Sequence, residues 1–273
     1  MSRTSYVRST FDLASSGYDR SPLEFFRAGA VRLVEFAAVR RGDNVLDVAT
    51  GTGWVALAAA AKVGPQGRVV GIDLSPRMIA RARKKVKQLR LSNVVFRVED
   101  AQRISHAADT FDKVLAAQAI FFMPKPLDAL REWCRVLKPG GSIAISSWGK
   151  AAFRPMEKML FELFERYGIH LRPKSEPSFE TIKECRGYLH KAGLRNIISS
   201  VVELGYALPN AETWWTIVCN TALRGNLRRL GPKDRSRFRR DHLKEIESLR
   251  GRDGIQLPMP AIFSTGQKTC RLD

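Results

Sequence analysis

Three carboxylates and a run of glycines carry the clearest chemistry in this sequence. Val45-Leu46-Asp47-Val48-Ala49-Thr50-Gly51-Thr52-Gly53 reads as a short apolar strand that turns sharply into a helix. Glycines at such a turn let a ligand approach the backbone, and the new helix presents free N–H groups. Asp73 closes a second apolar run, where a carboxylate can accept both hydroxyls of a ribose. Gly51-Thr52-Gly53-Trp54-Val55-Ala56 also fits the dinucleotide pattern G-x-G-x-x-A, so these residues alone leave the ligand open. Asp47, inside the first strand, suits a ligand with an ammonium group and would repel a pyrophosphate. Val98-Glu99-Asp100-Ala101 adds a side-chain carboxylate beside a free backbone N–H, which matches the amine and ring nitrogen of an adenine edge.

An alternation of strands and helices must position these groups. Residues 1–20 read as a polar arm with a few aromatics. Ser21-Pro22-Leu23-Glu24 then predicts a helix start, with Ser21 as cap, Pro22 at the first position and Glu24 completing a capping box. Phe26, Ala30, Leu33 and Ala37 share one face of that helix, and Gly42 should end it. Strands are expected at 45–48, 68–73, 94–98, 113–117 and 142–147, separated by helices at 53–62, 75–90 and 126–137. This order implies a parallel sheet with right-handed crossovers. Beyond Trp148 the pattern predicts helices near 153–167 and 178–192, a strand near 196–204, a helical stretch over about 210–250 and a last strand at 261–269.

Two further segments complete a set. Phe111-Asp112-Lys113-Val114 opens the fourth strand, and Leu137-Lys138-Pro139-Gly140-Gly141 leads into the fifth. Taken in order, the five segments resemble the class I S-adenosylmethionine-dependent methyltransferases. They look closest to the group that includes the ubiquinone and menaquinone biosynthesis C-methyltransferases. The resemblance covers about residues 11–148, and it departs at Ala49, where many members have glycine. Phe11-Asp12 and Tyr18-Asp19 resemble that group's N-terminal arm, whose tyrosine closes over the cofactor.

The fold implied is α/β: a doubly wound, mostly parallel seven-stranded sheet, Rossmann-like, with the last strand antiparallel and a helical cap. The chain then divides into an arm or lid at 1–20, a cofactor-binding core at 21–149, and a segment at 150–273 that completes the sheet and adds the cap at about 207–255. The resemblance also implies the contacts of bound S-adenosylmethionine. Ala49, Gly51 and Gly53 would line its methionine moiety, with Asp47 reaching the ammonium directly or through water. Asp73 would hold the ribose, Leu74 and Met78 would flank the adenine, and Asp100 and Ala101 would read its edge. Ala117 and Gln118 would meet the methionine end with backbone groups, under Tyr18 as lid.

The acceptor is expected at the carboxyl ends of the strands. Phe121, Phe122 and Met123 follow the fourth strand, Trp148 follows the fifth, and Trp214-Trp215 opens the cap. Large apolar side chains at such a mouth suggest an aromatic, quinol-like or lipid-like small molecule, although any of them can instead pack as core. Methyl transfer from a sulfonium asks the protein mainly for alignment and exclusion of water. His106 and His170 stand in no diagnostic context, so no catalytic base is assigned.

The formal net charge is +19, which raises nucleic acid, an anionic membrane surface and acidic substrates as partners. The excess is spread evenly: 23 basic and 13 acidic residues up to 149, and 23 and 14 beyond. Arg77, Arg81, Arg83, Lys84, Lys85, Lys87 and Arg90 crowd one helix, and residues 224–252 hold 11 basic and 4 acidic residues, interleaved. Interleaving favours an exposed helix laced with ion pairs. Nucleic-acid binding is therefore disfavoured but kept open, as is peripheral membrane contact. The cysteines Cys134, Cys185, Cys219 and Cys270 form no C-x-x-C pair and no zinc spacing, so no metal is expected. Met1 to Thr10 is polar, and the densest apolar run, 54–61, is too short to span a bilayer, so a cytoplasmic location with free thiols is expected. The alternatives are an RNA or protein acceptor, an NAD-dependent oxidoreductase, and a cofactor-binding protein without catalysis.

Overall fold

A computed structural model describes residues 2–170 and 177–269, so Cys270 lies outside the described residues. Seven strands form one sheet: β1 (Asn44–Val48), β2 (Arg68–Asp73), β3 (Val94–Val98), β4 (Phe111–Ala117), β5 (Leu137–Trp148), β6 (Leu194–Glu203) and β9 (Pro260–Lys268). Their order is β3-β2-β1-β4-β5-β9-β6. The last strand, β9, runs antiparallel to both β5 and β6, while the pairs from β3 through β5 are parallel. The order reverses between β1 and β4, and ligands of open α/β sheets lie at that crevice, beyond the carboxyl ends of the strands.

Helices cover both faces. On one side lie α2 (Glu24–Phe36), α3 (Trp54–Val63) and α4 (Pro76–Leu89), whose Leu33, Ala59 and Ile79 bury against Val45, Val69 and Leu115. On the other lie α5 (Pro126–Val136) and α7 (Ile182–Lys191), where Leu130, Trp133 and Leu189 meet Leu46, Val114 and Ile143. Strands buried on both faces are apolar nearly throughout, as Val45-Leu46 and Val114-Leu115 are. A third core belongs to the cap. It joins α6 (Met156–Arg166), α8 (Ala211–Asn220), α9 (Arg224–Leu227) and α10 (Pro232–Glu247) through Leu160, Phe164, Trp214, Leu227 and Phe238.

The structure departs from the sequence reading in four places. The arm contains a helix, α1 (Arg3–Ala14), capped by Ser2, whose hydroxyl oxygen accepts the Ser5 N–H. Ser21 is not a helix cap: Ser21–Leu23 forms a 3-10 turn, and α2 follows from Glu24 with no side-chain cap. Gly42 does not end α2, because Ala38 takes the left-handed turn (φ 49°) directly after Ala37, the last buried residue of this segment. The cap also holds a small antiparallel pair, β7 (Tyr206–Leu208) with β8 (Ile255–Leu257), which clasps its two ends together.

Candidate cofactor and acceptor site

The turn after β1 is wound left-handed at three residues: Ala49 (φ 53°), Gly51 (φ 55°) and Gly53 (φ 91°). Glycine takes that conformation without strain, which is why alanine at 49 stands out. Asp47 braces the turn from below. Its Oδ2 accepts the Thr50 hydroxyl at 2.5 Å and the Ala56 N–H at 3.0 Å. Burial lifts this carboxyl to about 7, against the pull of those two bonds. Asp47 also lines a narrow cleft with Tyr18, Gly51 and Ser146.

Asp73 ends β2 facing the same turn. Its Oδ2 accepts the Gly51 N–H at 2.9 Å and its Oδ1 accepts the Ser75 N–H at 2.8 Å. Burial raises its carboxyl to about 6. Ser75 caps α4 by accepting the Met78 N–H at 3.1 Å, so Asp73 is not needed for that task. Asp100 accepts the Gln102 N–H at 2.9 Å, and the Ala101 carbonyl accepts the Trp133 indole N–H at 2.9 Å, which ties this loop to α5.

The structure brings Tyr18, Ala49, Gly51, Asp73, Leu74, Met78, Asp100, Ala101, Ala117 and Gln118 around one cavity of about 80 Å³. Glu99, the neighbour of Asp100 in that motif, also lines it, as do Thr4, Val7, Gln102, Ala119 and Pro124, which sequence reasoning missed. Gly53 does not line this cavity. A Cβ there would stand 2.9 Å from Phe96 Cζ, so this glycine permits helix–sheet packing rather than ligand approach.

The arm is fastened over the cavity by its two acids. Asp12 accepts the Ser75 hydroxyl at 2.5 Å. Asp19 accepts the Thr52 hydroxyl at 2.6 Å and pairs with Lys85 at 2.7 Å, while the Lys85 ammonium sits 3.7 Å from the Trp54 ring centre. The remaining α4 bases behave differently: Arg77, Arg81 and Lys84 are exposed, as a solvated face would be. Between the acids, Tyr18 stacks on Phe26 with centroids 4.6 Å apart, and Phe11 meets Phe122 edge-on at 5.2 Å. The signal for this clasp was the paired aromatic–acid motif, Phe11-Asp12 and Tyr18-Asp19.

A second cavity of about 560 Å³ adjoins the first. Phe121, Phe122 and Trp148 line it, with Phe26, which the sequence placed only on the apolar face of α2, and with Phe153, Phe161 and Leu223, which the sequence did not single out. Arg3, Lys150, Ser178 and Asn226 add polar groups to its wall. Met123 lines the smaller cavity instead. The two cap tryptophans require correction. Trp214 is wholly buried and donates its indole N–H to His242 Nε2 at 2.8 Å, and Trp215 packs on Phe238 and His242. Neither lines a described cavity, because α8 turns this face to α10.

None of the histidines at 106, 170 and 242 lines these cavities. The His106 ring packs on Phe111 at 5.0 Å, His170 pairs with Glu165 at 2.9 Å, and burial pushes His242 down to about 4. Among the described residues, no three His, Cys, Asp or Glu side chains cluster as a metal site, and no helix is long and apolar enough to cross a membrane. The bases of α10 are largely engaged: Arg239 pairs with Glu212 at 2.6 Å and Arg237 with Asp241 at 3.8 Å, and Arg235 donates to the Leu227 carbonyl at 3.2 Å.

The sheet order, the β1 turn and the acidic strand ends define a class I methyltransferase of the S-adenosylmethionine-dependent kind. Residues 40–193 match the methyltransferase domain family, and the chain belongs to it. It is 40% identical to aklanonic acid methyltransferase DauC of Streptomyces sp. (strain C5) over 141 residues, which is 52% of this chain and 64% of that protein. The aligned part thus spans just under two thirds of DauC. It is 33% identical to demethylmenaquinone methyltransferase of Listeria welshimeri over 168 residues, 59% of this chain and 70% of that one. The structure is similar to that of a SAM-dependent methyltransferase from Aquifex aeolicus, with a TM-score of 0.51 and 27% identity, covering 74% of this chain and 93% of the other. These relationships favour a methyltransferase over an NAD-dependent oxidoreductase.

Proposed function

We propose that the protein transfers a methyl group from S-adenosylmethionine to a small, apolar, aromatic or lipid-like acceptor held in the larger cavity. One observation carries this reading: the two cavities share walls at Phe11, Tyr18, Gln118 and Phe122, so their contents meet there. The names of the relatives, which refer to aklanonic acid and demethylmenaquinone, support a small-molecule acceptor.

The residues fit the cofactor. Asp73 still has lone pairs for the ribose hydroxyls after accepting its two backbone bonds. Asp100 and the Ala101 N–H suit the adenine edge, with Leu74 and Met78 beside the ring. Ala49 and Gly51 leave room at the methionine end, with Asp47 as the nearby negative charge. When bound, S-adenosylmethionine supplies a methyl already activated on sulfur. Phe122 and Trp148 exclude water and hold the acceptor flat, and Tyr18 closes the site from the arm side. Arg3 and Lys150 are too few to make the cavity a polyanion groove.

The test is fluorescence of the S-adenosylhomocysteine-bound protein on addition of 2-naphthol. Quenching that Trp148→Phe abolishes supports the reading. Unchanged emission up to millimolar 2-naphthol, together with tight binding of an RNA oligonucleotide, contradicts it.

A further inference from the structure

Between Leu74 and Val98 the chain carries eight bases and no acid. This stretch is α4 followed by β3, and β3 is an edge strand of the sheet on which α4 packs. Two of the bases have tasks within the fold. Lys85 pairs with Asp19 of the arm, and Arg83 donates to the Phe96 carbonyl at 2.7 Å. The other six, Arg77, Arg81, Lys84, Lys87, Arg90 and Arg97, are exposed, and their side chains pair with no carboxylate among the described residues. On α10, by contrast, Arg237 and Arg240 share Asp241, and Arg239 pairs with Glu212. Interleaved acids offset the charge of α10, and α4 has none.

Large aliphatic side chains stand out of the same surface. Leu89 is 59% exposed at the end of α4, and Val95 and Val98 are 49% and 50% exposed on β3. The one aromatic ring of these two elements, Phe96, is buried. A surface that holds single-stranded nucleic acid sets aromatic rings among its bases for stacking, and this one offers none. Unpaired bases beside exposed aliphatic groups instead match an anionic bilayer, whose headgroup phosphates take the bases while the aliphatic groups enter the boundary with the acyl chains. We infer that α4 and β3 form a docking face for an anionic lipid bilayer. The face adjoins the candidate cofactor site without belonging to it: Leu74 and Met78 line the smaller cavity, while Arg77 and Arg81 are exposed to solvent. The inference does not depend on which acceptor is methylated.

Cosedimentation of the full chain with vesicles tests it, comparing equal parts phosphatidylcholine and phosphatidylserine with phosphatidylcholine alone. The wild type should sediment only with the anionic vesicles. It should be released when salt rises from about 0.1 M to 1 M, which shortens the reach of charge from about 10 Å to 3 Å. Arg81→Gln/Lys84→Gln/Lys87→Gln should weaken partitioning at least about thirtyfold, since each base near such a surface contributes about fivefold. Arg237→Gln/Arg239→Gln/Arg240→Gln removes the same charge from α10 and should weaken it by about threefold at most. Leu89→Ser should weaken it at least about fivefold. All the substituted residues are exposed, so the unfolding temperature should not move, which thermal unfolding checks. Equal losses in the two triple variants would reduce the binding to net charge and overturn the inference. Wild-type protein left in the supernatant would overturn it, and so would unchanged partitioning of Leu89→Ser. Release of the bound protein by an equal mass of RNA oligonucleotide would mark a nucleic-acid surface and overturn it too.

Discussion

The Asp73 carboxylate accepts the Gly51 N–H at 2.9 Å, tying the end of β2 to the turn that follows β1. The same carboxylate lines the smaller cavity, so one side chain both shapes the turn and faces that cavity. Asp73→Ala should therefore cost about 1.5–3 kcal/mol of S-adenosylhomocysteine affinity, the range for hydrogen bonds to a charged group. Isothermal calorimetry checks it, and unchanged affinity would remove the ribose assignment.

The buried acids set a pH dependence. Burial raises Asp47 to about 7 and Asp73 to about 6, while both titrate near 4 in an unfolded chain. Between those limits the folded state holds more protons than the unfolded one, so stability falls as pH rises. The ligand-free protein should melt about 7–14 °C lower at pH 8 than at pH 5. Saturating S-adenosylhomocysteine should shrink that difference, because its ammonium and hydroxyls favour the ionised acids. Asp47→Asn should remove the part of the trend above pH 6. Thermal unfolding at a series of pH values reads all three.

The arm is held by the contact of Asp19 with Thr52 and Lys85, which is only partly exposed to solvent. Asp19→Ala should raise the S-adenosylhomocysteine dissociation rate about 2- to 5-fold, the span of a partly exposed ion pair. It should also make residues 1–20 more sensitive to limited proteolysis. Stopped-flow kinetics that show no change would mean the clasp is not part of cofactor retention.

Trp214 belongs to the cap core, where its indole N–H serves His242. Trp214→Phe leaves the imidazole without that donor and should cost about 1–3 kcal/mol of stability. Methyl-transfer kcat/KM should stay within twofold at a temperature well below the transition. Lost turnover at unchanged stability would return Trp214 to the acceptor site.

The contrast between Trp214 and Asp73 shows what the sequence can reveal. Asp47, Gly51 and Asp73 could be singled out because each lies in, beside or at the end of a short apolar strand run, and the β–α alternation implies a parallel sheet, although it does not fix the strand order. Trp214 and Trp215 sit on adjacent positions of one helix, and only Phe238 and His242 of α10, more than twenty residues on, decide which way they face. Gly53 was misread for a similar reason: its crowding neighbour, Phe96, comes from β3. The helix α1 has no apolar period of its own, since part of its face, Thr4, Val7 and Phe11, covers a cavity rather than a core. The pair β7–β8 joins three-residue strands across the whole cap and leaves no local trace.

The central claim is that the methyl goes to a small apolar acceptor. Incubation with methyl-tritiated S-adenosylmethionine and an extract of the cells that make this protein tests it most directly. The account predicts label in the organic-extractable, small-molecule fraction, unaffected by ribonuclease or protease pretreatment. Label recovered with RNA or protein, and lost on those pretreatments, would contradict it.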